Sequence, residues 1–415
     1  MPAPNESSAE SGGGASPSLM AMSHLASHPY FQPASEACPR IDAWELLLVR
    51  QSQTRLAKLD GFLEQYTDAV NPSYLVVLVI PVLFAVHAIG AMRKPKPTHN
   101  AVSHTALCYQ CLAPLLITLT ADWLNASVKL PLQGDRPFWC ATDVRQFRMT
   151  CESSFGMPSG HCMVFTAFLF DAVSGTMCLV PLRWRRGTRS LTLLQVAAAV
   201  AIVITAVSRV HTGSHFPSQT IYGTLCGVLL AWVLRTFTTD PMKDMSKMRP
   251  SVVLCGALVV AVIAAVAPVM AIASMEERGL DTLRSIQLAT TACNDASQMH
   301  RTTPPVVSLC RAAATAIGAL VGATMVAKVV PATLPAAIAA PRKGTALIGA
   351  LVAVAAYAIF QSPIASAGGA PGWRGGVEAA SRAFATHVLA FGVAPTLASI
   401  AVHGGITNRV ALKCR

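Results

Sequence analysis

Residues 191–220 read LTLLQVAAAVAIVITAVSRVHTGSHFPSQT. Positions 191–208 carry no charge and are long enough to cross a bilayer core as a helix. Directly after them come Arg209, His211 and His215. Which histidine works, and on what, is the question the stretch raises. The rest of the chain matches this beginning. It is 53% hydrophobic and 13% charged, with the apolar residues in long blocks, a composition of the membrane class. Nine stretches reach spanning length, at about 73–92, 104–126, 161–182, 191–208, 219–237, 251–274, 306–329, 344–361 and 383–403. The expected fold is all-α, a polytopic bundle, with Arg311 an oddity inside the first turns of its seventh span.

The formal charge of +12 would suit a nucleic-acid partner, but the placement of the basic residues argues for topology instead. Arg93, Lys94 and Lys96 follow the first span; Arg183, Arg185, Arg186 and Arg189 the third; Arg235, Lys243, Lys247 and Arg249 the fifth. Lys328, Arg342 and Lys343 follow the seventh, and Arg409, Lys413 and Arg415 the last. By the positive-inside rule these alternate loops and the C-terminus are cytoplasmic, and the N-terminus is luminal or external.

Residues 1–40 are rich in Ser, Gly, Ala and Pro and are expected to be disordered. No basic segment precedes an apolar run there, so no cleavable signal peptide is read. Residues 41–66 read as one amphipathic helix within a luminal or interfacial segment 41–72, followed by a membrane domain 73–408 and a short tail 409–415. The twelve cysteines read as small apolar fillers without a disulfide framework or zinc site. Cys140 and Cys151 share one luminal loop, which leaves their pairing open. Asn5 fits a luminal glycosylation acceptor, whereas Asn125 lies too deep in the second span.

Three polar patterns stand out. The second span runs into ADWLNASVKLPLQGDRPFWC, with Lys129 and Arg136; CESSFGMPSGHCMVF opens the third, with Ser159, Gly160 and His161; the fourth ends in Arg209 and His215. One loop holds the first two patterns, and two further crossings return the chain to the same side for the third. All three therefore meet at one membrane face, where intramembrane polar groups signal a site. Three cations, a planar guanidinium fork and a glycine-containing turn at a helix N-terminus suit a phosphate. Two histidines beside it suit phosphoryl transfer, one attacking phosphorus and the other protonating the leaving oxygen, with no metal or cofactor required.

The spacings K-x6-R-P (Lys129 to Pro137), P-S-G-H (Pro158 to His161) and S-R-x5-H (Ser208 to His215) resemble the three signatures of the type 2 phosphatidic acid phosphatase superfamily. Within it, DWLN, TCES, HFPSQ, DAVNPSY and MHRTTPPVVSL resemble the glucose-6-phosphatase catalytic subunits. The resemblance implies a nine-span, luminally active enzyme of the endoplasmic reticulum membrane, serving gluconeogenesis with a separate glucose-6-phosphate transporter. It makes His215 the nucleophile, His161 the proton donor and acceptor, and Lys129, Arg136 and Arg209 the phosphate ligands, with Asp68 near the site. His211 is left as a polar loop residue at the rim. Gln219 stands where the wider superfamily has an aspartate, so it can hold the imidazole by a hydrogen bond but not by charge. Two rival expectations are a lipid or other phosphomonoester phosphatase on the same scaffold, and a non-catalytic anion-binding membrane protein or transporter subunit. Lys413 supplies half of a dilysine retrieval signal.

Overall fold

A computed structural model of the chain describes residues 43–75, 113–174, 188–245, 248–279, 284–295 and 305–324, with 281, 299 and 385 besides. Among these the regular structure is helical: α1 (Ala43–Arg55), α2 (Asp60–Ala69), α3 (Ala113–Leu132), α4 (Gly160–Val173), α5 (Thr188–His211), α6 (Pro217–Met245), α7 (Pro250–Glu277), α8 (Arg284–Ala292) and α9 (Pro305–Thr324). Helices α3 to α7 and α9 coincide with the second to seventh expected spans. The first, eighth and ninth spans, the N-terminal 1–40 and the tail 409–415 lie outside the described residues. Two helical stretches, Leu191–His211 and Pro217–Thr236, are long and apolar enough to cross a membrane.

Proline sets three of the helix starts: Pro217, Pro250 and Pro305 each open a helix, where the missing N–H costs nothing. Helix α4 is the hub, packing against α3, α5 and α6. Gly223 and Gly227 put one small face of α6 against it: a Cβ at Gly223 would sit 2.6 Å from the Ser159 carbonyl oxygen, and one at Gly227 would collide with that of Met163. Ile117, Ala121, Met163, Val164, Ala167 and Ala231 fill the seam between α3, α4 and α6. Helix α9 packs on α3 and α7. There Arg311 faces Asp122 of α3 at 3.5 Å, which gives the charge inside the expected seventh span a partner.

The helix read over 41–66 is broken. After α1 the chain makes a single tight turn, Ala57–Leu59, and restarts as α2 at Asp60, whose carboxylate suits a helix N-terminus. The break leaves Asp60 facing Arg145 and His211.

The cysteine reading is also corrected. Cys151 is bonded to Cys293, 142 residues away, so the open Cys140–Cys151 pairing does not occur, and Cys140 is itself disulfide-bonded. Cys151 lies between α3 and α4 and Cys293 just after α8. Spacing along the chain cannot reveal a bond that depends on Cα atoms 5.8 Å apart in space. Closing so long a loop restricts the unfolded chain by about 5 kcal/mol in the chain-entropy picture.

Candidate active site

The three polar patterns converge where the N-terminus of α4, the C-terminus of α5 and the loop between α3 and α4 meet. Arg136, Ser159, Arg209 and His215 are fully buried, and Lys129, Glu152 and His161 nearly so.

Helix α5 runs past the expected end of its span and stops at His211, followed by Gly213 in the left-handed region at φ 67°. Its last turn carries Arg209, and the tight turn brings the His215 N–H within 3.2 Å of the Arg209 carbonyl. The His215 ring is then held from one side. Its Nδ1 faces the Gly156 carbonyl oxygen at 2.8 Å and Gln219 Oε1 at 3.2 Å. The Gln219 amide donates to the Asp135 carbonyl at 2.7 Å, which turns its oxygen toward His215. Both partners of Nδ1 are acceptors, so Nδ1 carries the proton and Nε2 keeps its lone pair. Burial, with the Arg136 and Arg209 charges beside it, holds the ring well below the usual histidine range, hence neutral. Gly156 permits the arrangement, since a Cβ there would lie 2.6 Å from Gln219 Oε1.

The two guanidinium groups differ in what they have left to give. Arg136 is occupied by protein: Nε donates to the Ser154 carbonyl at 2.6 Å, Nη1 to the Ser214 carbonyl at 2.9 Å, and Nη2 to Glu152 at 2.7 Å and to Phe155 and Ser154 oxygens at 3.2 Å. Its Nη1 also lies 3.4 Å from His215 Nε2. Arg209 donates through Nη2 to the other Glu152 oxygen, while its Nε and Nη1 are buried without a partner. The Ser159 hydroxyl and His161 Nε2 are likewise buried and unpartnered. Four unsatisfied polar atoms in one buried cluster would each cost about 1–3 kcal/mol if the site stayed empty of any ligand. Lys129 Nζ, 3.2 Å from the Ser154 hydroxyl, completes the cationic wall.

Some sequence expectations take a different form. The Ser159 N–H donates to the Gln219 carbonyl at 3.0 Å, so it is taken up by α6, and what remains open is the hydroxyl. Gly160 faces Asn125 Oδ1, 3.0 Å from where a Cβ would be, so its smallness serves the packing of α4 on α3. Asn125 is buried, bonded to the Pro158 carbonyl. The ionic partner of Asp68 is Arg148 at 3.8 Å, and not a residue of the cradle. His211, read as a rim residue, is fully buried: both ring nitrogens are held by the N-terminal helices, a partner set that its position near the end of a span could not disclose.

Glu152 is the functional residue that the motif spacings do not name. Burial alone would raise its pKa, but Arg136 and Arg209 overcome that and hold its carboxyl well below the ordinary carboxylate range. The signal available in the sequence is physical: two arginines in apolar surroundings need an anion, and TCES supplies a glutamate in the loop that follows Arg136. Glu152→Gln leaves the two cations without it. We expect a stability loss of about 3 kcal/mol, as for breaking a buried ion pair. Saturating inorganic phosphate should restore most of it, since phosphate brings negative charge to the open donors beside the same two guanidinium groups. Thermal unfolding with and without phosphate measures both effects, and equal losses in the two conditions would separate Glu152 from the anion site.

The PAP2 superfamily model matches residues 110–243. Glucose-6-phosphatase 3 of Bos taurus is 32% identical over 223 residues, covering 50% of this chain and 60% of the relative. The Homo sapiens protein of the same name is 30% identical over 218 residues with the same coverage. Glucose-6-phosphatase catalytic subunit 1 of Haplochromis nubilus is 25% identical over 211 residues, 47% of this chain and 53% of the relative. The chain thus spans little more than half the length of these curated relatives. No solved structure matches it. Residues 110–243, which hold Lys129, Arg136, Glu152, His161, Arg209 and His215, match the PAP2 superfamily model, in a chain similar to the glucose-6-phosphatases.

Proposed function

We propose that the chain is a membrane phosphohydrolase that releases inorganic phosphate from glucose 6-phosphate through a phosphohistidine on His215. The observation that carries the reading is the set of unpartnered donors on Arg209, Ser159 and His161 around a neutral imidazole whose Nε2 keeps its lone pair, beside Arg136 Nη1. A phosphoryl group satisfies these donors together, whereas an anion-binding subunit has no use for an oriented nucleophile.

In the first step the His215 Nε2 lone pair forms a bond to phosphorus while the bond from phosphorus to the sugar oxygen breaks, and protonated His161 gives its proton to that oxygen. In the second, His161 takes a proton from water, the water oxygen bonds to phosphorus, and the P–N bond breaks to return neutral His215. Arg209, Lys129 and the Ser159 hydroxyl stabilise the equatorial oxygens, the largest service a protein renders in this reaction. Gln219 suits the neutral resting state of His215, because it orients Nδ1 without adding negative charge. The substrate assignment draws on the relatives' names and on this glutamine.

The lumen of the endoplasmic reticulum is the proposed location. Its support is the disulfide between Cys151 and Cys293, on segments that the positive-inside reading puts on the luminal face, since such bonds persist in oxidising compartments. A hydrophilic sugar phosphate cannot cross about 30 Å of hydrocarbon unaided, so a separate transporter must deliver it. In sealed vesicles lacking that transporter, hydrolysis of external glucose 6-phosphate should be latent and should appear on permeabilisation with detergent. Equal activity before and after would invert the topology. With purified protein, glucose 6-phosphate should be hydrolysed in preference to phosphatidic acid, and the reverse order would reassign the enzyme to lipid substrates.

A further inference from the structure

His211 is neither the nucleophile nor a ligand of the cradle, yet it is fully buried four residues before His215. Its Nδ1 lies 3.1 Å from the Ser52 carbonyl oxygen of α1, and its Nε2 lies 2.8 Å from Asp60 Oδ1 of α2. A carbonyl oxygen can only accept. The carboxylate is also an acceptor, because the hydrogen bond from Arg145, followed by that from His211, holds Asp60 below the ordinary carboxylate range despite some desolvation. Two acceptors on two ring nitrogens are both satisfied only by a ring carrying two protons, an imidazolium.

The cation belongs to a closed circuit. Arg145, from the loop between α3 and α4, donates to both Asp60 oxygens at 2.8 and 3.2 Å and to the Gln53 carbonyl at 2.6 Å. The Gln53 side chain accepts from the Arg145 N–H at 3.0 Å and donates to the Arg145 and His211 carbonyls at 3.0 and 2.9 Å. Phe147 lies against both cations, with its ring centroid 5.4 Å from the His211 ring and 5.3 Å from the Arg145 guanidinium. The charged groups facing His211 are thus Asp60 from α2 and, through it, Arg145. Beyond His211 the turn is tied again by Thr150, which donates to the Thr212 carbonyl at 2.6 Å, and by Arg136 on Ser214.

We propose that His211 is a positioning residue: as an imidazolium bridging Ser52 and Asp60, it clamps the α1–α2 pair onto the two catalytic loops and so fixes where His215 Nε2 stands. The proposal rests on His215 as the nucleophile. It explains why α1 breaks before Asp60, and why a loop that must hold a nucleophile to a fraction of an ångström is braced from outside the membrane helices.

His211→Gln cannot be a cation, and Asp60→Asn removes the charge that the cation answers. In each, kcat for phosphate release should fall about 10-fold, the scale of a small misplacement, with KM within about twofold. Phosphoenzyme should reach its full amplitude but form more slowly, and the double variant should be no slower than the slower single, as expected for two members of one unit. A kcat within about twofold of the parent in both variants overturns the proposal. So does a loss of phosphoenzyme amplitude that merely follows a loss of folded protein, since His211 would then serve folding alone. Absence of phosphohistidine in the unsubstituted chain is read before any variant is made. It refutes the nucleophile assignment and removes the basis of this proposal.

Discussion

His215→Ala is expected to lower phosphate release by about 10⁴-fold or more, the scale on which loss of a covalent nucleophile is felt. After brief exposure to labelled substrate, the parent chain should carry acid-labile, base-stable phosphate and the variant none. The expectation follows from ring orientation: Nδ1 is held by Gly156 and Gln219, leaving Nε2 alone to attack. The nearest competitor, His211, has both ring nitrogens engaged, by the Ser52 carbonyl and by Asp60. Label that survives in His215→Ala would end the assignment.

The second large effect separates the two arginines. Arg209→Lys removes the buried Nε and Nη1 donors that have no protein partner, so it should fold and yet lose about 10²- to 10³-fold in kcat/KM, as when a transition-state donor is deleted. Arg136→Lys should instead lower stability by about 3 kcal/mol or more. A lysine cannot reproduce the guanidinium's simultaneous contacts to Glu152, Ser154, Phe155 and Ser214. Melting temperature and steady-state kinetics on the same preparations would show the contrast. Parallel losses of stability in both would refute the division of labour.

How much of this was legible beforehand depends on whether a feature lives in the chain or in space. Hydrophobic run length gave the helical class and the placement of α3 to α7 and α9, because a bilayer dictates about 20 residues of apolar helix wherever one crosses. Crossing parity gathered Lys129, Arg136, His161, Arg209 and His215 on one face, and the structure brings them into one buried cluster. What stayed hidden are pairings between distant segments. The bond of Cys151 to Cys293, the insertion of Glu152 between two guanidinium groups and the capture of His211 by Asp60 each depend on a partner 57 to 151 residues away. The break at Leu56 was hidden for a related reason. Residues 41–66 are locally acceptable as one helix, and only the need of Asp60 to meet Arg145 and His211 decides otherwise.

The ion pair of Arg311 with Asp122 bears on how the protein is made. An arginine inside a spanning segment opposes its partition from the translocon into lipid by about 3 kcal/mol, so the α9 segment, read as a span, would be a poor autonomous inserter. Asp122, emitted from the ribosome 189 residues earlier in α3, offers the counter-charge that offsets this penalty. If both segments cross the bilayer as the sequence reading has them, the second would meet its counter-charge on Arg311 only once the seventh arrives. Asp122→Leu would then betray itself during synthesis, as a fraction of chains whose seventh segment fails to integrate, with every residue of the phosphate cradle untouched.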